Sequence, residues 1–385
     1  MSLDPDVFAA LLEAIERFVA DELQPLEAQV DATDEVPPAT IAAMRALGLF
    51  GLTIPEAYGG LGLTAPEEIE VAIRLGHAAP AFRSVFGTNI GIGAQSIIID
   101  GTDAQRAHWL PKLASGDTIA SFCLTEPDSG SDAGSLRTRA TATADGESFV
   151  LNGTKRYITN APRAGLFTVF ARTDPQTKGS KGVSAFLVAA DTPGVRVGSP
   201  EHKMGQRGAP VSDVVFEDAR VRAEAIVGGP ANLHHGFRTA MRVLDRGRLH
   251  IAAFCAGMCE RLVGEAVRFA RERRQFGKPI AEFQLIQAMI ADSQAEAYAA
   301  TCMVRDAARR FAVGPATTEV ACAKMFASEA LGRVADRAVQ VHGGAGYIRE
   351  YAVERLYRDA RLFRIYEGTT QIQQLIIARG LLAAG

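Results

Sequence analysis

Residues 365–373, which read IYEGTTQIQ, place a single carboxylate where it could act as a base. Glu367 follows an aliphatic and an aromatic residue, so its carboxylate is expected to lose hydration and to have a raised pKa. Gly368 has no side chain and would leave room for a substrate beside the carboxylate. A glutamate here could instead serve only the dipole of a following helix. The residues alone therefore make Glu367 a candidate base.

A helix is predicted to begin directly after this segment. Thr370 and Gln373 have the spacing of a capping box, and three apolar residues follow at 375–377. The candidate base is thus expected on a loop at the start of a helix.

Length and charge narrow the class of protein. The chain has 385 residues, enough for two or three domains, and 48% of them are hydrophobic. A formal net charge of −3 argues against a nucleic-acid partner. No apolar run is long enough to span a bilayer, and the acidic, amphipathic first thirty residues do not resemble a signal peptide. We expect a protein of the bacterial cytoplasm without a membrane partner, since the composition is rich in alanine and arginine.

The five cysteines do not indicate a metal site. Their number is odd, and they are scattered through a long chain. Cys255 and Cys259 would lie one turn apart on a helix, but no histidine or second cysteine pair is near them in sequence. We expect them to be buried as small apolar residues, and we expect no bound metal.

Three zones with different periodicity follow one another along the chain. Residues 1–120 and 231–385 show helical spacing of apolar residues, whereas residues 121–230 contain short β-prone runs separated by Gly, Pro, Asn and Asp. This order predicts an α+β fold with an N-terminal helical domain, a middle antiparallel β-barrel or sandwich, and a C-terminal helical domain. The glycine-rich segment 342–346 follows a helical stretch rather than a strand, so it is predicted to be a turn between helices and not a dinucleotide fingerprint.

Four segments together resemble the acyl-CoA dehydrogenase family. Residues 122–132 (FCLTEPDSGSD) are similar to its first flavin-binding signature, residues 271–277 (RERRQFG) to its arginine–phenylalanine turn, and residues 340–347 (QVHGGAGY) to its glycine turn. The segment around Glu367 resembles its catalytic-base signature. The four occur in the family's order at compatible spacing, so the resemblance covers the whole chain.

This resemblance implies a homotetramer whose subunits end in a four-helix bundle, with FAD between the middle and C-terminal domains. The reaction would be α,β-dehydrogenation of an acyl-CoA to the trans-2-enoyl-CoA in fatty acid β-oxidation. Glu367 would take the α-proton while the β-hydride passes to flavin N5, and the thioester oxygen would be held by the main-chain N–H of Glu367 and a ribityl hydroxyl. Electrons would leave to electron-transfer flavoprotein.

The resemblance also assigns residues to the cofactor. Leu124 and Thr125 would contact the flavin, Ser131 the pyrophosphate region and the substrate, and Thr159 the neighbourhood of N5. Tyr157 stands where the family often has tryptophan. From a neighbouring subunit the AMP half would be bound by Arg273, Phe276, Gln340 and Gly344, and the site would be completed by Thr369 and Gln371. Singly, Thr125 and Ser131 could be turn residues and Arg273 a solvated charge.

Substrate contacts follow from the same resemblance. In residues 244–248 (LDRGR), Gly247 stands where some relatives carry their base, which favours Glu367 as the sole base. Asp245 and Arg248 match residues near the CoA moiety, with Gly368 beside the substrate. Asp245 and Arg248 could equally be an ion pair on a helix.

Arg83 bears on the class of acyl group. Residues 82–84 (FRS) precede Gly101 at the same distance as an arginine motif in glutaryl-CoA dehydrogenase, where the arginine binds a distal carboxylate. Arginine binds a carboxylate through two parallel hydrogen bonds, so one interpretation is that Arg83 selects a dicarboxylyl-CoA. The sequence favours the plainer interpretation, in which Arg83 pairs with a nearby acid or carbonyl.

Other functions within the family are weaker interpretations. An acyl-CoA oxidase usually has a much longer chain. A flavin-binding relative that protects DNA or assists assembly should lose the base or gain a basic face, and a desulfinase typically lacks the glutamate. The presence of Glu367 in a slightly acidic chain favours a dehydrogenase.

Overall fold

The computed structural model describes residues 2–383 and consists of helices, a sheet and helices in that order. The α+β prediction is therefore confirmed. The N-terminal part contains seven α-helices: α1 (Pro5–Phe18), α2 (Gln24–Thr33), α3 (Pro38–Ala46), α4 (Ala65–Leu75), α5 (Pro80–Thr88), α6 (Gln95–Asp100) and α7 (Asp103–Ala114). A capping box starts α4, where Glu67 Oε2 accepts a hydrogen bond from the Thr64 N–H at 2.8 Å.

The middle part is one seven-stranded sheet. Its strands are β1 (Ala120–Cys123), β2 (Arg139–Ala142), β3 (Ser148–Thr159), β4 (Leu166–Arg172), β5 (Val183–Ala189), β6 (Val195–Val197) and β7 (Val211–Arg222). The order is β1-β4-β2-β3-β7-β6, and β5 pairs with β4.

The sheet is mixed rather than purely antiparallel as predicted. Strand β4 is parallel to both β1 and β2. The chain reverses its direction at β3, which is antiparallel to β2, and reverses again before β4. Strand β5 and the adjoining β4 are buried along almost their whole length, so neither shows the alternation of a half-exposed strand.

The C-terminal part is a helical bundle. It contains α8 (Gly236–Glu272), the short β8 (Arg274–Gln275) and β9 (Lys278–Pro279), then α9 (Gln284–Val313), α10 (Thr317–His342), α11 (Ala352–Ala360) and α12 (Thr370–Ala383). The glycine-rich segment forms a 3₁₀ turn, Gly343–Tyr347, after α10, as predicted. Cys255 and Cys259 are buried in α8, also as predicted.

Helices α4 and α8 approach closely enough to bring the two helical parts into one core. A Cβ atom on Gly257 of α8 would lie 1.9 Å from the carbonyl oxygen of Ile73 in α4, so only glycine fits there. This contact brings the first half of α8, with Gly247, Arg248 and His250, alongside α4 and α5. No helix within residues 2–383 is both long and apolar enough to cross a membrane.

Candidate active site

Glu367 lies on a strained turn directly before α12. Its φ is +55° and that of Gly368 is +86°, so two successive residues adopt the left-handed region. A non-glycine residue holds this conformation only where its surroundings enforce it. Such a turn is consistent with a carboxylate whose direction is fixed by the fold.

Three side chains from three helices hold the carbonyl groups of this turn. Arg248 Nε of α8 donates to Glu367 O at 3.1 Å, and Lys324 Nζ of α10 donates to Gly368 O at 2.7 Å. Gln373 Nε2 of α12 donates to both carbonyls, at 3.2 and 3.0 Å. The backbone on both sides of the peptide bond is therefore tied to the bundle.

The predicted capping box of α12 is wrong. The N–H of Ile372 donates to Thr369 Oγ1 at 3.3 Å, so Thr369 caps the helix. The hydroxyl of Thr370 donates instead to Glu329 Oε1 at 2.6 Å. Gln373 does not complete a capping box: its Nε2 donates to the carbonyls of Glu367 and Gly368, and its Oε1 has no hydrogen-bond partner within residues 2–383.

The carboxylate of Glu367 is confined but has no partner. Burial raises its pKa, although the nearby positive charges of Arg83, Arg248 and Lys324 act in the opposite direction. Its Oε2 makes no hydrogen bond within residues 2–383. A carboxylate with a raised pKa and a free oxygen is suited to accept a proton.

Two cavities meet at Glu367. The outer one is a cleft of about 820 Å³ between the sheet and helices α8 and α12, and the inner one is a cavity of about 60 Å³ towards α5. Thr159 and Glu367 border both. A molecule extending from the cleft into the cavity would pass the carboxylate.

Most of the residues assigned from the flavin and substrate resemblance border the outer cleft. They are Leu124, Thr125, Ser131, Tyr157, Thr159, Asp245, Arg248 and Gly368. Tyr157 has a φ of +58° and is 59% exposed, with the Arg156 guanidinium 4.9 Å from its ring centroid. One face of this aromatic ring thus carries a cation.

Six assigned residues do not border either cavity of their own chain. They are Arg273, Phe276, Gln340, Gly344, Thr369 and Gln371. Phe276 lies at the β8–β9 turn and is 92% exposed. A role for Phe276 and its companions across a subunit boundary stays a prediction.

Asp245 and Arg248 form an ion pair on α8, which was one of the two interpretations that the sequence allowed. Their side chains are 2.8 Å apart, and the second oxygen of Asp245 accepts from Thr317 Oγ1 at 2.8 Å. Arg248 also reaches the carbonyl of Glu367. The pair is therefore both a helix ion pair and a support of the candidate base.

The flavin-signature loop is anchored by a buried ion pair that the sequence analysis missed. Lys155 Nζ lies 2.7 Å from Glu126 Oε1, and the side chains are 0% and 6% exposed. Lys155 also donates to Leu124 O at 3.2 Å, and Glu126 accepts from the Thr138 N–H at 2.9 Å. The pair holds residues 124–126 against strand β3.

Arg83 has no hydrogen-bonded partner within residues 2–383, and the opposite charge beside it is that of Glu367. Its guanidinium makes no hydrogen bond or ion pair within residues 2–383, and its Nε is buried. The nearby acid or carbonyl that the sequence favoured as its partner is not found. Gly87, one turn later, makes room for it, since a Cβ there would lie 2.9 Å from Arg83 Cζ.

His250 was not singled out from the sequence, where a lone histidine on a helix carries no signal. It borders the inner cavity and is 2% exposed. Its Nδ1 lies 3.1 Å from Glu68 Oε1, whereas its Nε2 is buried without a partner.

The outer cleft has the size and lining expected for a flavin nucleotide. Its volume lies within the range of roughly 300–1,000 Å³ for cofactor sites. Gly130 and Gly134 border it, so backbone groups are accessible beside a phosphate-bearing ligand. Residues from the sheet face residues from α8 and α12 across it. This arrangement fits FAD.

Family models match nearly the whole chain. The N-terminal, middle and C-terminal domains of acyl-CoA dehydrogenase match residues 7–117, 121–219 and 234–382. The chain belongs to the acyl-CoA dehydrogenase family. It is accordingly an FAD-dependent oxidoreductase.

Individual relatives show the range within the family. The chain is 38% identical over 366 residues to a 3-(aryl)acrylate reductase of Clostridium sporogenes, covering 95% of this chain and 96% of the relative. The butyryl-CoA dehydrogenase structure from Megasphaera elsdenii superposes with a TM-score of 0.93 at 35% identity, covering 99% and 100%. A glutaryl-CoA dehydrogenase in complex with glutaryl-CoA gives 0.92 at 32% identity, covering 100% and 97%.

Proposed function

We propose that this protein dehydrogenates a short acyl-CoA between Cα and Cβ, with Glu367 as the base. The supporting observation is the free Oε2 of Glu367, on a carboxylate with a raised pKa, at the junction of the two cavities. Bound in the outer cleft, FAD supplies the acceptor for the hydride from Cβ.

The residues of the chain hold the base and the thioester. Arg248, Lys324 and Gln373 restrain the carbonyls of the turn, so the carboxylate needs little reorganisation to meet the α-proton. The N–H of Glu367 makes no hydrogen bond to another residue within 2–383 and is available to the thioester oxygen. A donor at that oxygen stabilises the negative charge that develops as the proton leaves.

The small inner cavity supports a short acyl chain. Its volume of about 60 Å³ corresponds to roughly four water-sized probes. A few carbon atoms beyond Cβ fill such a space, whereas a long chain requires the surrounding side chains to move.

A dicarboxylyl-CoA is the second candidate substrate, and the specific observation is the unpaired Arg83. The inner cavity is bordered by Arg83, Lys203 and His250, while Glu367 is its one carboxylate within residues 2–383. Arg83 is half-buried and its buried Nε has no hydrogen-bond partner within residues 2–383, so a carboxylate at the end of the acyl chain would complete the site. Butyryl- and glutaryl-like substrates thus become the two alternatives to compare.

Electron-transfer flavoprotein as acceptor and a homotetramer as assembly are part of the same proposal. The support for the assembly is the exposure of Phe276 and the position of the residues assigned to the AMP half, which do not border the chain's own cleft. The support for the acceptor is the resemblance to the family. Light scattering of the FAD-loaded protein gives the oligomer directly. The reverse reaction uses the same base, with Glu367 returning its proton to Cα, and the relative from Clostridium sporogenes carries the name of a reductase.

Anaerobic titration of the flavin absorbance tests the function. Butyryl-, pentanoyl-, octanoyl- and glutaryl-CoA would be added to the wild type, Glu367→Gln and Arg83→Gln. We expect bleaching by short acyl groups and a fall of about 10²- to 10⁴-fold in its rate with Glu367→Gln. If Arg83→Gln abolishes bleaching by glutaryl-CoA and spares butyryl-CoA, the dicarboxylyl alternative holds. Bleaching of Glu367→Gln at the wild-type rate would contradict the role of the base, and no bleaching with any thioester would contradict the reaction.

A further inference from the structure

His250 closes the inner cavity on the side of α4 and is buried in a fixed orientation. Its Nδ1 faces Glu68 Oε1 at 3.1 Å, and Glu68 Oε2 accepts from Arg246 at 2.8 Å. Both carboxylate oxygens are therefore occupied. The ring is held in place by Glu68, which is itself held by a second residue of α8.

The hydrogen-bond partner of His250 Nδ1 determines whether Nε2 can accept or donate a hydrogen bond. Burial alone would raise the pKa of Glu68, but the charge of Arg246 and the hydrogen bond from His250 outweigh it and lower this pKa. An ionised carboxylate only accepts, so the proton of the neutral ring is assigned to Nδ1. Nε2 then carries a lone pair in the neutral ring and an N–H in the charged ring.

Nε2 has no partner in either state. It is buried and makes no hydrogen bond within residues 2–383, and the same is true of Arg83 Nε. Both residues border the 60 Å³ cavity whose other end is Glu367. Two unpaired nitrogen atoms at the lining of one small cavity indicate a polar group on the ligand, because unsatisfied buried polar atoms are rare in folded proteins.

The charges around the ring decide its protonation state. Burial and the positive charge of Arg83 in α5 lower the pKa of His250, while Glu68 in α4 raises it and Arg246 in α8 lowers it. Lys203 before β7, and Tyr366 and Glu367 before α12, also border the cavity. The lowered pKa leaves the ring neutral near pH 7.5.

We propose that His250 takes up a proton when an acyl-chain carboxylate binds beside Arg83, and that its Nε2–H then donates to this carboxylate. The inference rests on the proposed dehydrogenase function, and within it on the dicarboxylyl-CoA alternative. The carboxylate accepts from the Arg83 guanidinium and from Nε2–H of the charged ring. Glu68 holds the opposite edge of the imidazolium, so its charge lies between two carboxylates.

Proton uptake distinguishes this arrangement from binding by Arg83 alone. In the FAD-loaded Glu367→Gln protein, turnover is slowed by the expected 10²- to 10⁴-fold and the titration of Glu367 is removed, so binding is measured before reaction. Calorimetry at pH 7.5 in buffers of different ionisation enthalpy would compare glutaryl-CoA with pentanoyl-CoA. We expect uptake of about one proton with glutaryl-CoA and none with pentanoyl-CoA. The affinity for glutaryl-CoA should fall as the pH rises, whereas that for pentanoyl-CoA should stay level.

Adding His250→Gln to the Glu367→Gln protein should abolish the proton uptake. The affinity for glutaryl-CoA should fall by about 10- to 100-fold, whereas the affinity for pentanoyl-CoA should change little. His77→Gln is the matched control, because His77 also pairs with a glutamate, Glu260 at 3.3 Å, but borders neither cavity. The pH dependence of the affinity for glutaryl-CoA is measured on the protein that retains His250, so this test holds even if His250→Gln does not fold.

Equal uptake for both thioesters, no uptake for either, or uptake that persists in His250→Gln would overturn the subsite. These results are independent of the dehydrogenase proposal. If pentanoyl-CoA bleaches the wild-type flavin but glutaryl-CoA causes no proton uptake in Glu367→Gln, the dehydrogenase proposal stands. Only the proposed role of His250 is then wrong.

Discussion

A Cβ atom at Gly247 of α8 would lie 2.9 Å from Oε2 of Glu367. The missing side chain of Gly247 thus provides the space in which the carboxylate sits. The sequence resemblance placed Gly247 where some relatives would carry their base, and a carboxylate side chain there would overlap with the carboxylate of Glu367. The chain has room for a single carboxylate at this junction, and it comes from the loop before α12.

Replacing Gly247 by alanine should reduce activity while leaving the fold intact. The added methyl group displaces the carboxylate of Glu367, and a shift of about 1 Å at a reacting group costs on the order of 100-fold in rate. Steady-state kcat/KM with a short acyl-CoA measures the loss. The free energy of unfolding should hold or rise, because alanine favours a helix over glycine.

Gly264→Ala is the matched control for this variant. Gly264 is exposed on the same helix, and a Cβ there meets nothing within 4 Å. We expect unchanged kinetics and a stabilisation of about 0.5–1 kcal/mol. If Gly247→Ala kept full activity, the packing of Gly247 against Glu367 would have no catalytic importance.

Lys324 should set the lower end of the pH range of activity. Its charge opposes the burial that raises the pKa of Glu367, and burial lowers its own pKa to about 8. Glu367 must be ionised to accept a proton, so kcat/KM rises with pH through the pKa of Glu367. In Lys324→Met this pKa rises further, and the rising limb of the profile moves to higher pH.

The pH profile of kcat/KM for wild type and Lys324→Met measures this shift, with exposed Lys112→Met as a control. The variant also loses the hydrogen bond to Gly368 O, which Gln373 still satisfies at 3.0 Å. A fall in rate without movement of the limb would assign Lys324 to positioning the turn and not to the charge of Glu367.

The sequence predicted the parts of this site that are continuous along the chain. The Glu367 segment, the flavin signature and the order of helix, sheet and helix all depend on local pattern and on resemblance. Lys324 could not be identified in this way, because it contacts Gly368 across 44 positions. Nothing in the local sequence distinguishes a buried lysine on α10 from a solvated one.

The errors have the same origin. Thr370 and Gln373 have the spacing of a cap, but Thr370 donates to Glu329 of α10 and Gln373 donates to the carbonyls of the preceding turn. Arg83 was expected to find a protein partner, since most buried charges do. His250 could not be identified because its orientation is fixed by Glu68 of another helix, α4. For Thr370 and His250 the deciding contact lies between segments far apart in sequence.

Gly87→Ala should change the substrate preference, because it displaces the side chain of Arg83. The new methyl group would lie 2.9 Å from Cζ of Arg83 and would push the guanidinium along the cavity. We expect the preference for glutaryl-CoA over pentanoyl-CoA, measured as the ratio of kcat/KM, to fall by about tenfold or more. A drop that affects both thioesters equally would indicate distortion of α5 and not a change at the distal subsite.

Lys155→Met should weaken both the fold and the binding of FAD. It leaves the carboxylate of Glu126 buried without its cation, which typically costs about 3–5 kcal/mol, and it frees the carbonyl of Leu124 at the edge of the cleft. Chemical denaturation gives the free energy of unfolding, and fluorescence titration of the stripped protein gives the dissociation constant of FAD. Glu126→Gln combined with Lys155→Met removes the unpaired charge, so stability should recover in part. FAD affinity should stay low in the double variant, because the hydrogen bond to Leu124 O is still missing. Recovery of both together would mean that the ion pair acts on FAD only through the stability of the sheet.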